Sequence, residues 1–133
     1  MRLHVALMLS GWLLTAIRRL GLSSHYTLQV MMLRAALLVK VGERDREALE
    51  VLKEALVLSA PITTSWQSAP ELSAMVAHVS ALLGNAGEAK RFNRLAVKQA
   101  VLLAKQYLAS VEKPAEPDGS IAAALHEYGE RRR

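Results

Sequence analysis

The chain has 133 residues, 52% hydrophobic and 22% charged, with a net charge of +5, seven glycines, four prolines and no cysteine. That length suits one domain, and the apolar fraction is too high for wholesale disorder. The missing cysteine excludes a disulfide framework, a thiolate metal site and a cysteine nucleophile.

The first predicted helix covers residues 3–20 and stops at Gly21. Met1-Arg2 and the apolar run Leu3 to Ile17 have the outline of a signal peptide. Against it, His4 interrupts the run, Arg18-Arg19 close it, and no small-x-small cleavage site follows. The run is also short for a bilayer span. His4, Gly11, Thr15 and Arg18 share one narrow stripe, so the expectation is a core helix with one wet edge and no membrane partner. A cytoplasmic or nuclear location follows, with secretion as the alternative.

A second helix spans 25–41, apolar around most of its girth and stopped by Gly42. A third spans 45–59, with Asp45 as N-cap and acidic residues in its first turn, where the helix dipole favours them. Residues 60–70, bounded by Pro61 and Pro70 and rich in Ser and Thr, read as a loop. The fourth helix spans 70–83 and ends at Gly84; the fifth is long, 87–112. Residues 113–119 (KPAEPDG) form a linker, and 120–128 a short helix with Ser120 as N-cap and Ile121, Leu125 and Tyr128 on one side, before a basic tail to 133. The organisation is therefore a helical domain over 1–112, a linker over 113–119 and a C-terminal segment over 120–133. No stretch alternates with period two, so the fold class is all-α.

Helices two and three, and helices four and five, repeat one pattern. Ala36, Gly42, Ala48 and Ala55 in the first pair correspond to Ala77, Gly84, Ala89 and Ala96 in the second. Alanine at a helix crossing lets two antiparallel helices approach closely, and the turn glycine supplies a left-handed backbone. Over about residues 28–102 this resembles the tetratricopeptide repeat (TPR), a helix–turn–helix unit that stacks into a right-handed superhelix. The chain departs from that pattern in four ways, the first being that Gly42 to Ala48 is one residue longer than Gly84 to Ala89. Ala48 to Ala89 is 41 residues, the first helix of each pair lacks large aromatics, and Phe92 falls one position early. The resemblance implies about five antiparallel helices plus the short C-terminal one. It also implies binding of a protein or peptide in a groove lined by the first helices, at Gln29, Arg34, Lys40 and His78.

Groups for catalysis are scarce. Asp occurs only at 45 and 118, the four histidines lack ligand spacing, and no serine sits in a G-x-S-x-G elbow. No enzyme activity, cofactor or metal is expected. The glycines at 84 and 87 precede a helix, but without a preceding strand or P-loop spacing they read as a helix-to-helix turn.

Helix five carries the strongest surface signal. Arg91, Arg94, Lys98 and Lys105 lie on one face, which reads as a solvated edge or as a dock for an acidic partner or nucleic-acid backbone. No aromatic interleaves them, so nucleic acid is not the favoured partner. Phe92, Ala96, Ala100, Leu103 and Tyr107 form the expected inward stripe. A second apolar stripe, Val97, Val101, Ala104, Leu108 and Val111, has nowhere internal to go. The expected function is a non-enzymatic interaction scaffold or adaptor subunit, burying apolar helix faces against a partner chain or a second copy. The alternative is a regulatory or nucleic-acid-associated subunit using the basic stripe.

Overall fold

In the computed structural model, residues 2–21, 23–112 and 128 are described. Among them are five α-helices and no strand: α1 (Arg2–Leu20), α2 (Ser24–Val41), α3 (Asp45–Ser59), α4 (Ala69–Leu82) and α5 (Ala86–Glu112). Each helix packs mainly on its neighbours in sequence. The linker and nearly all of the C-terminal segment expected at 113–133 lie outside the described residues; Tyr128 is helical and exposed.

Glycines set the corners. Gly42 and Gly84 adopt φ of 89° and 80°, a region where a Cβ would clash with the backbone. After Gly84 the amide of Asn85 donates to Ser80 O at 2.9 Å, capping α4, and the Asn85 side chain accepts from Glu88 N at 3.1 Å, capping α5. Gly84 is thus used by a helix-to-helix turn, whereas Gly87 is the second residue of α5 and has no left-handed backbone. Ser23 caps α2 by accepting from His25 N at 3.2 Å. Asp45 does not cap α3. Gly42 and the left-handed Glu43 (φ 58°) turn the chain so that Arg44 takes the cap position, and Asp45 becomes the first helical residue.

The core runs along a stripe of α2 (Leu28, Met31, Ala35, Leu38), meeting Ala48, Leu52 and Ala55 of α3 and Leu72 and Val76 of α4. Ala35 is fully buried, whereas Ala36, the expected crossing residue, is exposed. Buried positions on α2 step by three and four, so the next residue lies about 100° away from that line. Ala48, Ala55, Ala77 and Ala89 are buried, and Ala96 is half-buried.

The stretch 60–70 is more than a loop. Ala60–Ile62 forms a 3₁₀ turn, and Trp66 plugs into the core with 5% of its surface exposed. Its amide donates to Ile62 O at 2.9 Å, and its carbonyl accepts from Ala69 N at 3.1 Å.

α1 differs from the expected core helix. It buries Leu7, Ser10 and Ile17 against α2, while Val5, Leu9, Trp12, Leu13 and Leu20 remain exposed. Its 19 residues also make it long and apolar enough, by length and composition, to cross a membrane.

Candidate interaction surfaces

α4 has 14 residues and α5 has 27. At 1.5 Å per residue their lengths are about 21 and about 40 Å, so α5 overshoots its antiparallel partner. Ser73 Oγ donates to Gln99 Oε1 at 2.7 Å and marks how far along α5 the second turn of α4 reaches. Beyond it, every residue from 100 to 112 is exposed except the half-buried Leu103. The expected inward stripe therefore ends early. Phe92 is buried and Ala96 and Leu103 are half-buried, but Ala100 is exposed and Tyr107 is 69% exposed. Past the start of α4 no helix among the described residues covers that side.

Four of the five residues of the second stripe lie on this free length, and Val97 lies just before it. Val97, Val101, Ala104, Leu108 and Val111 are all exposed. Their steps of four, three, four and three keep them on one line of the helix, the spacing of a two-heptad a/d seam.

Arg91, Arg94 and Lys98 line one shallow depression of about 470 Å³ together with Gly87, Leu95 and Lys90. Lys90 belongs to this group although the sequence reading omitted it; its one-residue offset from Arg91 still reaches the same hollow. Arg91 pairs with Glu88 at 3.4 Å and lies 5.2 Å from the Phe92 ring centroid. Exposed pairs of this kind hold little energy and leave the cation available. Lys105 stands apart, about 10 Å further along the helix axis.

The four groove residues separate. Arg34 turns away to α1, where Nη1 donates to Leu7 O at 2.9 Å and to Ser10 Oγ at 3.2 Å. Gln29 donates to Ser68 Oγ at 3.2 Å and ties α2 to the segment before α4. Lys40 and His78 do line a groove of about 450 Å³ between α2 and α4, with Glu71 and the apolar Ala36, Val39, Ala74 and Met75. Its charged members, Lys40 and Glu71, carry both signs on a mainly apolar surface.

No cluster of three or more His, Asp or Glu suited to a metal occurs among the described residues. Comparison of the chain with protein-family models, with curated proteins and with solved structures gives no match.

Proposed function

We propose that this chain is a TPR-like, right-handed helical array acting as a non-enzymatic scaffold or adaptor in the cytoplasm or nucleus, and that it holds another polypeptide. The observation that carries this reading is the exposed apolar line Val97–Val101–Ala104–Leu108–Val111, most of it on the part of α5 that outruns α4. A lone helix in water gains little from propensity, so a long projecting helix with an apolar stripe is best accounted for by a surface that covers it. The α2/α4 groove supports the same reading, because in a repeat array it lies between the first helices of two successive units. The test compares wild-type chain with the Val101→Glu/Leu108→Glu variant in quantitative affinity capture. Partners that use this face should fall by tenfold or more, since each buried aliphatic side chain contributes about 1.5–3 kcal/mol. Identical recovery from the two proteins would sink the reading.

A second reading rests on the hollow lined by Lys90, Arg91, Arg94 and Lys98: a regulatory or nucleic-acid-associated subunit that docks a polyanion there. Its signature is binding to duplex or single-stranded oligonucleotide that weakens steeply with salt and is lost in Arg91→Glu/Arg94→Glu.

A further inference from the structure

α1 divides its apolar residues between two faces. Leu7, Leu14 and Ile17 turn to α2 with Ser10, and Val5, Leu9, Trp12, Ala16 and Leu20 stand exposed. The exposed set steps by four, three, four and four and so forms one continuous face. Trp12 lies at its middle, 63% exposed. Trp12, Ala16, Leu20, Thr15 and Arg19 line a shallow surface hollow, so a guanidinium borders the apolar face at one end. Exposed Arg2 stands at the other.

The electrostatics of this side are one-sided. Residues 1–42 contain no Asp or Glu, and of their five arginines and lysines Arg2 and Arg19 border this face, while Arg34 turns inward to α1 and Lys40 lines the α2/α4 groove. The carboxylate that does reach α1, Glu54 of α3, is engaged by Arg18 at 2.9 Å. An apolar face centred on tryptophan and ended by arginines matches the boundary between acyl chains and anionic headgroups. There the indole ring has one wet and one dry side, and each arginine meets a phosphate or carboxylate.

We propose that α1 docks this face onto an anionic lipid bilayer, with its axis in the membrane plane. Although α1 is long enough to span, spanning would strip Leu7, Ser10 and Ile17 from α2. It would also break the bonds from Arg34 and the Arg18–Glu54 pair. Lying in the plane keeps them all. The inference is independent of the α5 surface, which belongs to the opposite end of the helix series.

The experiment uses the full chain and vesicles of phosphatidylcholine alone or equimolar with phosphatidylserine. Trp12 and Trp66 are the two tryptophans, and Trp66 is buried, so emission changes report on Trp12. The expected result is co-flotation with the anionic vesicles only, a blue shift of Trp12, and its quenching by brominated acyl chains. Leu9→Glu should lower binding at least about tenfold and Arg19→Glu several-fold, both with unchanged circular dichroism. Trp12→Ala serves as the second apolar-face variant should Leu9→Glu misfold. Folded wild-type protein that ignores both vesicle types overturns the proposal, as does equal binding to neutral and anionic vesicles. A dimer that Leu9→Glu dissociates, without any vesicle binding, assigns the face to a second copy instead. Association that resists alkaline carbonate means a span and overturns the in-plane geometry.

Discussion

The Ser73 hydroxyl donates to Gln99 Oε1 across 2.7 Å, and this bond links the second turn of α4 to the place where α5 leaves the body. Ser73 is almost wholly buried. Its removal leaves a half-buried amide oxygen that water can reach in part, so Ser73→Ala should cost about 1 kcal/mol. Urea denaturation should show a lower midpoint with an unchanged slope. A neutral substitution would mean that apolar packing alone sets the α4–α5 register.

Arg34 should hold α1 in place. Its Nη1 reaches Leu7 O, which also accepts from Ser10 Oγ at 2.6 Å, so a half-buried polar cluster sits between two mainly apolar helices. Arg34→Met keeps the aliphatic length and loses the donors, at about 1.5–3 kcal/mol for bonds from a charged group. Because α1 is the terminal helix of the series and packs mainly on α2, the loss should be local: amide exchange in α1 accelerates while α2–α4 stay protected. Arg34→Lys should rescue poorly, since an ammonium does not reproduce the guanidinium fork. Uniform acceleration across the whole chain would refute a local role.

Gly84 and Gly87 are three residues apart and should respond oppositely to alanine. At φ 80° an alanine at 84 is strained by about 1–2 kcal/mol. Gly87 is helical, and a Cβ there meets Asn85 Oδ1 at an ordinary 3.8 Å, so Gly87→Ala should stabilise by up to about 1 kcal/mol. Thermal unfolding of the two single variants decides the pair.

Local chemistry was legible in the sequence, and the stops at Gly21, Gly42 and Gly84 show why: a helix end depends on the few residues around it. Trp66 shows the opposite. Flanked by Ser, Thr and Pro it reads as loop, and only the gap beside α2 and α4 makes it a core residue. Arg34 likewise looks like a groove residue until α1 arrives to accept its hydrogens. Ala36 missed the crossing by one residue because a repeat pattern fixes helix phase only to about one position. The early end of the inward stripe was available in principle. The two predicted helix lengths, 14 and 26 residues, already differ enough to leave Tyr107 without a partner.

Trp66→Ala should be among the most damaging single changes. Truncating a buried tryptophan costs about 3–5 kcal/mol, a large share of the roughly 5–15 kcal/mol that a domain of this size commands. The variant should lose cooperative unfolding or show a midpoint many degrees lower by circular dichroism. Trp66→Phe should recover most of the loss. Near-wild-type stability for Trp66→Ala would place the 60–68 segment outside the cooperative core.

The α5 face should be separable from stability. Val101 and Leu108 are exposed, so Val101→Glu/Leu108→Glu should change unfolding free energy by no more than about 0.5–1 kcal/mol. Leu72→Ala, in the same helix pair but fully buried, should cost about 2–5 kcal/mol. Denaturation at two protein concentrations extends the comparison. If the glutamate variant loses several kcal/mol, and the wild-type midpoint rises with concentration, a second copy already covers α5 and contributes to folding. If the midpoint is independent of concentration and the variant matches wild type, the face is free in the isolated chain. The apolar residues that outrun α4 are then available to the partner chain proposed above, since none of the described residues covers them.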